Sequence, residues 1–296
     1  MKNPRVDSTT RVIVQGITGR AGRMHARMMR DYGTRIVGGV SPNAAAADVD
    51  GVPVFASCRL AVEQTQATAS VLLVGAGQLL AAIEDAVDAG IRLVVTPTEG
   101  MPAHDALQAR RVTMEAGVTW IGASTPGMAV AGQAKLGFLP EAALKPGPLG
   151  LMSKSGTLSY EAGYRLVQRG VGTSVWVGVG GDLVKGTRYA ELVPFYATDS
   201  QTEALLVIGE IGGNDEEEFA AALTDARFPK PVFALIAGRS SPEGVTMGHA
   251  GALVHGEFGG YGAKITALER AGVEVFGSLD AMADAIAAWH AARGGK

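Results

Sequence analysis

The chain has only one cysteine, Cys58, which excludes an internal disulfide and any cysteine-based metal cluster. It also lacks an apolar run of about 20 residues, the length that a membrane-spanning helix needs. Its N-terminal segment, MKNPRVDSTTR, has no apolar core of the kind found in signal peptides. These absences predict a cytoplasmic protein without a membrane segment, and we expect no metal ligands on this chain.

A surplus of positive charge is missing as well. The 26 Lys and Arg residues against 29 Asp and Glu give a net charge of −3. Nucleic-acid-binding proteins usually carry a basic surplus, and no basic cluster here adjoins an apolar stretch that would suit a membrane surface. We therefore expect neither a nucleic acid nor a membrane as partner. The 296 residues, 47% of them hydrophobic, are enough for two buried cores.

Short β-branched runs alternate with Ala-rich stretches of helical period, which predicts an α/β fold with parallel sheets. Predicted strands are Arg11–Gln15, Arg35–Val40, Ala69–Val74, Arg92–Thr96, Thr119–Gly122, Leu149–Ser153, Ser174–Val179, Ala204–Ile208, Val232–Ala237 and Val273–Phe276. Predicted helices are Ala21–Asp31, Leu79–Ala89, Ala103–Ala116, Thr157–Arg169, Asp215–Ala226, Ala263–Ala271 and Leu279–Ala292. The Gly- and Pro-rich stretch 126–148 has no clean period and is interpreted as a connection, so we expect domains at residues 1–130 and 148–296.

Glycine is abundant, with 41 residues, and the first predicted strand leads into a glycine-rich turn. The turn is Gly16-Ile17-Thr18-Gly19-Arg20-Ala21-Gly22, and a helix follows it. Backbone N–H groups at such a turn and the helix N-terminus favour a phosphate. A NAD site would also need a carboxylate after the second strand, and Gly38–Pro42 contains none. The turn therefore either binds a nucleotide phosphate or is purely structural.

Of the five histidines, His249 alone lies in a run of small residues, Thr246–Ala252. A histidine that accepts a phosphoryl group and passes it on needs such access and freedom to move. Its attacking nitrogen must be neutral, and the other should donate to an orienting carboxylate. Glu210 is a candidate because it ends a predicted strand, and α/β sites form at that edge of a sheet. The residues alone leave open whether His249 is catalytic or an ordinary surface residue.

The segment Ser153-Lys154-Ser155-Gly156-Thr157 ends one predicted strand and opens the next helix. Its hydroxyls, free N–H groups and positive dipole end suit a phosphate. Serine and threonine N-caps are common, so this segment is either a phosphate cradle or an ordinary helix start.

Together these segments resemble the α subunit of succinyl-CoA synthetase, in order and over nearly the whole chain. The matching stretches are Gln15–Gly19, Val37–Val40, Gly51–Phe55, Thr98–Pro102, Ser153–Glu161, Val179–Asp182, Gly209–Gly213 and Met247–Ala252. The last two are highly specific when found together. The resemblance implies an N-terminal Rossmann-like CoA-binding domain followed by a flavodoxin-like doubly wound ligase domain.

The resemblance also implies a reaction and a partner. A separate ATP-grasp β subunit would hold ATP or GTP with Mg, and the nucleotide would phosphorylate His249. The phosphoryl group would pass to a small carboxylic acid, and the CoA thiol would attack the resulting acyl phosphate. Glu210 would hold His249, and the implied phosphate-binding residues are Ser153, Lys154, Ser155, Gly156 and Thr157. The implied CoA-binding residues are Gly16, Thr18, Gly19, Arg20, Ala21, Gly22 and Glu99.

The chain departs from this family at three places, all in the first domain. Asn43–Ala47 has no lysine where the family places one against a CoA phosphate, and Arg20 and Arg23 are candidates to replace it. Gly75–Gln78 replaces prolines that line the pantetheine, and Gly122–Gly127 replaces a Gly-Pro-Asn-Cys-Pro-Gly sequence. Two alternatives follow: a ligase that gives the acyl phosphate to another nucleophile such as an amine, and a non-catalytic CoA-sensing subunit. The sequence does not identify the acid or choose between ATP and GTP.

Overall fold

The computed structural model of the chain describes residues 2–42, 48–241, 248–254 and 259–294. Within these ranges the strands are β1 (Arg11–Gln15), β2 (Arg35–Val40), β3 (Asp48–Val49), β4 (Val52–Phe55), β5 (Ala69–Leu72), β6 (Leu93–Thr96), β7 (Thr119–Gly122), β8 (Gly127–Val130), β9 (Ala134–Gly137), β10 (Pro146–Ser153), β11 (Thr173–Gly178), β12 (Ala204–Glu210), β13 (Val232–Ala237) and β14 (Glu274–Phe276). The α-helices are α1 (Arg20–Tyr32), α2 (Cys58–Thr65), α3 (Leu79–Asp88), α4 (Ala103–Glu115), α5 (Gly156–Gln168), α6 (Tyr189–Thr198), α7 (Asp215–Asp225), α8 (Tyr261–Arg270) and α9 (Leu279–Ala292).

The first sheet has the strand order β3-β4-β2-β1-β5-β6-β7. Strand β1 is parallel to both β2 and β5. Its residues Val12, Ile13 and Val14 are fully buried, as expected for a strand covered on both faces. Apart from the short edge strand β3, the order is that of a Rossmann fold, whose ligand crevice lies where the connections reverse direction, here between β1 and β5.

The second sheet has the order β14-β13-β12-β10-β11-β8-β9. Strands β10 to β14 are parallel and follow the flavodoxin-like order, with the reversal between β10 and β12. Both parts of the predicted fold class are therefore confirmed. In the part of the chain that the structure describes, no helix is both long and apolar enough to cross a membrane.

Strands β8 and β9 form a hairpin in the stretch interpreted from the sequence as a connection between domains. Strand β8 pairs antiparallel with β11, so residues 127–137 extend the second sheet, and the expected boundary at residue 130 falls inside that sheet. The glycines that suggested a connection serve the hairpin itself. A β-carbon at Gly127, whose φ is +104°, would lie 2.1 Å from the Leu136 carbonyl oxygen.

Helix α1 packs against this hairpin and against the residue that follows it. Thr34, just after the helix, donates from Oγ1 to the Lys135 carbonyl at 2.7 Å, and the ring of His25 stacks on Phe138 at a centroid distance of 3.9 Å. One buried hydrophobic cluster runs from Val14 in the first sheet to Val177 in the second. The two sheets therefore share a core, and α1 belongs to both.

Candidate active site

The turn that follows β12 seats the predicted histidine loop. Glu210 ends the strand at the crevice edge of the second sheet, and Gly212 comes two residues later with a φ of +88°. A β-carbon at Gly212 would lie 2.0 Å from the Gly251 carbonyl oxygen, so the loop backbone rests directly on this glycine. Thr246 and Met247 of the predicted loop lie outside the described residues, and residues 248–254 are described.

His249 and Glu210 form the central contact of the site. His249 Nδ1 lies 2.7 Å from Glu210 Oε2. This hydrogen bond raises the pKa of His249 above its ordinary value, while partial burial opposes the rise. Since the carboxylate accepts from Nδ1–H, it selects the tautomer whose Nε2 is the nucleophilic nitrogen. The side chain of His249 remains 29% exposed, whereas that of Glu210 is only 10% exposed.

His249 shares one cleft with the N-terminus of α5. The cleft has a volume of about 220 Å³ and is lined by His249, Ser155, Gly156, Thr157 and Tyr160, among others. Ser155 is the N-cap of α5 and accepts a hydrogen bond from the Leu158 N–H at 3.3 Å. The other first-turn N–H groups and the helix dipole favour an anion at this point. The structure thus places the predicted histidine and part of the predicted phosphate cradle side by side.

Ser153 and Lys154, also predicted to bind phosphate, do not line this cleft. Ser153 is fully buried, and its Oγ accepts from the Ser155 N–H at 3.0 Å, which fixes the start of α5. Lys154 directs its ammonium to the beginning of α7, where it lies 3.2 Å from Asp215 and 2.8 Å from Glu216. Ser153 therefore acts on the cleft only through the start of α5, and the Lys154 ammonium is taken up by the carboxylates of α7.

Two acidic residues, Glu99 and Asp182, line a second cleft beside His249, with a volume of about 310 Å³, and Glu99 also lines the first cleft. Glu99 was expected at the CoA site, but it lies beside His249, because Thr98 donates to the Val74 carbonyl at 2.8 Å and holds the segment after β6 there. Burial raises the pKa of Asp182. Sequence reasoning gave Asp182 no role, although it belongs to one of the matching stretches.

The predicted glycine turn opens a separate pocket of about 750 Å³ at the reversal point of the first sheet. Gly16, Thr18 and Gly19 line it together with Ser41. Gly22 lets α1 sit on the turn, since a β-carbon there would lie 2.1 Å from the Gly16 carbonyl oxygen. The position of Asn43–Ala47 falls outside the described residues.

Arg20 and Ala21 are exposed on α1 and do not line this pocket. Arg20 instead lines an adjoining groove of about 590 Å³ together with Arg23 and Arg27. Arg23 reaches back over the turn and donates from Nε to the Thr18 carbonyl at 3.2 Å. The helix therefore adds positive charge next to the glycine turn, as the sequence predicted, but outside the pocket proper.

Comparison with known proteins assigns the chain to a family. The CoA binding domain family matches residues 7–100, and the CoA-ligase family matches residues 152–274. The alpha subunit 2 of ADP-forming succinate–CoA ligase from Archaeoglobus fulgidus is 44% identical over 270 residues, which cover 91% of this chain and 93% of that relative. The chain belongs to the succinate–CoA ligase alpha-subunit family.

Another relative of the alpha subunit carries a different acid in its name. The ADP-forming sulfoacetate–CoA ligase subunit SauD of Bilophila wadsworthia is 41% identical over 273 residues, covering 91% of this chain and 93% of that relative. Among solved structures, ATP citrate lyase of Methanosaeta concilii in complex with (3S)-citryl-CoA has a TM-score of 0.88 at 24% identity. The alignment covers 97% of this chain and 51% of that one, so the alpha subunit corresponds to about half of the lyase chain and shares its fold.

The alpha subunit is thus one part of a nucleotide-dependent acid–CoA ligase, an acid–thiol ligase with CoA as a substrate. An alpha subunit implies a beta subunit as partner. None of these relatives supports an amine acceptor or a non-catalytic sensor. The predicted recognition, function and cofactor are confirmed at this level.

Proposed function

We propose that His249 carries a phosphoryl group from a nucleotide, held by an ATP-grasp beta subunit, to a small carboxylic acid that CoA then receives as a thioester. The 2.7 Å contact between His249 Nδ1 and Glu210 Oε2 carries this proposal. It leaves Nε2 for the phosphoryl group, beside the N-terminus of α5. A phosphoryl group there would meet the free N–H groups of that helix.

The reaction consists of three displacements. First, Nε2 of neutral His249 attacks the terminal phosphorus of the nucleotide, and the nucleoside diphosphate leaves. Second, a carboxylate oxygen of the acid attacks the phosphorus on Nε2, which gives an acyl phosphate and returns the imidazole to its neutral form. Third, the CoA sulfur attacks the acyl carbon, phosphate leaves, and the thiol proton passes to solvent. Glu210 keeps its hydrogen bond to Nδ1 throughout and stabilises charge on the ring.

In this proposal the first domain delivers CoA to the reaction. The glycine turn offers N–H groups and the start of α1 to the diphosphate of CoA. One hydrogen bond links the walls of the 750 Å³ pocket and of the His249 clefts. Val74, which lines the pocket, accepts from the hydroxyl of Thr98, and the next residue, Glu99, lines both clefts. An extended pantetheine arm would run from the pocket past Val74 and Thr98 towards His249.

Labelling of the assembled complex tests the proposal. The chain would be purified with its beta partner and incubated with Mg²⁺ and ATP or GTP labelled at the γ-phosphate. We expect an acid-labile, base-stable label that His249→Ala abolishes and that the matched variant His290→Ala, on α9, leaves intact. A label on serine, or one that survives His249→Ala, contradicts the proposal. Discharge of the labelled complex by a series of acids, including succinate and sulfoacetate, with CoA present would then identify the substrate class.

A further inference from the structure

A cluster of buried charges packs against the turn that carries Glu210. Glu216 and Lys264 are fully buried, and Lys154 is 4% exposed. Lys264 Nζ lies 2.5 Å from Glu216 Oε2, and Lys154 Nζ lies 2.8 Å from Glu216 Oε1. The Glu216 carboxylate is therefore held between two ammonium groups, that of Lys154 just after β10 and that of Lys264 in α8.

The cluster bonds to both ends of the Glu210–Gly213 turn. Glu216 Oε1 accepts a hydrogen bond from the Glu210 backbone N–H at 3.2 Å. Lys264 Nζ donates to the Gly213 carbonyl at 3.0 Å. Gly209 makes this approach possible, since a β-carbon there would lie 2.6 Å from Glu216 Oε1. The cluster therefore holds the backbone at both ends of the turn from which the Glu210 side chain extends.

Such a cluster is a poor source of stability. Taking ammonium and carboxylate groups out of water costs about as much as their mutual attraction returns, so apolar replacements of similar volume are often equally stable. The effect of the cluster is to fix atomic positions, because a buried charged group is stable only when its partners lie within hydrogen-bond distance. The geometry it fixes here is the backbone next to the carboxylate that contacts His249.

We propose that Lys264 and Glu216 are positioning residues that hold the Glu210 carboxylate on His249 Nδ1. This inference rests on the proposed function of His249. The other charged groups that face His249 are Glu99 and Lys154, and Asp182 lies in the same cleft. None of them takes over the 2.7 Å contact, which belongs to Glu210 alone in the described part of the chain.

The sign of a pKa change separates positioning from simple electrostatics. Removing the positive charge of Lys264 would by itself raise the pKa of His249. Loss of the Glu210 contact would lower it, because that hydrogen bond is the largest cause of the raised value. Lys264→Met should therefore bring the His249 pKa down towards about 6.5, measured by NMR of the imidazole carbon in the full chain. An unchanged or higher pKa overturns the proposal.

Phosphorylation of the assembled complex gives the second readout. Lys264→Met should slow labelling of His249 by roughly 10- to 100-fold, the range seen when a partner that orients a functional ligand is lost. Lys264→Arg, which keeps the charge, should recover part of the rate. The matched control is Lys230→Met, because Lys230 also donates to two carbonyls, those of Tyr196 and Asp199, but away from the site. The control should keep both the pKa and the rate.

The outcomes distinguish this inference from the proposed function. If the wild-type complex is not labelled at His249, the proposed function fails. If it is labelled, and Lys264→Met changes neither the pKa nor the rate, only the inference fails. Where Lys264→Met gives no folded chain, Lys264→Gln repeats the test with a donor retained and the charge removed. If neither variant folds, the cluster serves folding and the positioning role is rejected.

Discussion

Gly181 presents its backbone to the imidazole ring of His249. A β-carbon at residue 181 would lie 2.7 Å from Cγ of the ring and 2.9 Å from Nδ1, closer than real side chains allow. Glycine at this position therefore admits the ring to its place between the 181–182 segment and Glu210. The position of the His249 ring therefore depends on the missing β-carbon of Gly181 as well as on the Glu210 carboxylate.

We expect Gly181→Ala to push the ring off Glu210 and slow its phosphorylation by about 100-fold, the scale of a misplacement near 1 Å. Quenched-flow labelling of the complex would measure the rate. Gly262→Ala is the matched control, because no atom of a neighbouring element in the described ranges lies within 4 Å of the added β-carbon. Equal rates in the two variants would show that the ring tolerates the methyl group.

The pH dependence of phosphorylation should report the Glu210 contact. Imidazolium cannot attack phosphorus, so the rate rises with pH through the pKa of His249, which Glu210 raises. Glu210→Gln should shift this rise to lower pH and lower the plateau by roughly 100-fold or more. Glu203→Gln, just before β12 and paired with Arg293, is the control. A wild-type profile in Glu210→Gln would refute the orienting role.

CoA affinity should depend on Arg23, which reaches over the glycine turn. A charge-assisted contact to a phosphate contributes about 1.5–3 kcal/mol when well formed, and Arg23 is exposed, so we expect Arg23→Gln to weaken CoA about tenfold. Titration calorimetry of the complex would measure this. Arg111→Gln, on the exposed side of α4, should not change affinity. If Gly19→Glu, which blocks the turn, also leaves affinity unchanged, CoA binds elsewhere.

The isolated chain should not phosphorylate itself. The features proposed to bind phosphate in the described residues are one helix N-terminus beside His249 and one glycine turn, and the sequence contains no nucleotide-grasp motif. We expect labelling by ATP or GTP only after the beta partner is added. Micromolar ATP affinity or self-labelling of the chain alone would contradict the assignment of the nucleotide to the partner.

Much of the fold followed from periodicity because its strands are short apolar runs buried on both faces. β1, β2, β7 and β13 have the predicted limits, and so does α9. Two helices were not predicted from the sequence. Helix α2 has only eight residues after its N-cap Ser57, too few for a clear helical period, and α6 contains Pro194, a residue that usually interrupts helices. The hairpin β8–β9 was not predicted because it is rich in glycine, and glycine-rich stretches are also typical of linkers between domains.

The site was predictable only where residue type and chain order were enough. His249, Glu210 and Ser155 follow from strand ends and a glycine-rich run. The contacts of Lys154, Glu99 and Asp182 depend on which way a side chain turns at a sheet edge, and sequence spacing does not determine that. Lys264 lies 48 residues from Glu216 along the chain, so no local pattern could pair them.

The position of the hairpin β8–β9 ties the order of folding to the order of synthesis. All strands of the first sheet precede residue 123, yet α1 also packs against β9, where the Gly137 N–H donates to Met29 Sδ at 3.3 Å. β8 in turn needs β11, which ends at Gly178. We therefore expect a nascent chain that has completed only its first sheet to leave the β9-facing side of α1 uncovered until the second sheet begins to assemble. Because one buried hydrophobic cluster spans both sheets, we expect the two sheets to melt together in a single cooperative transition, seen as one calorimetric peak.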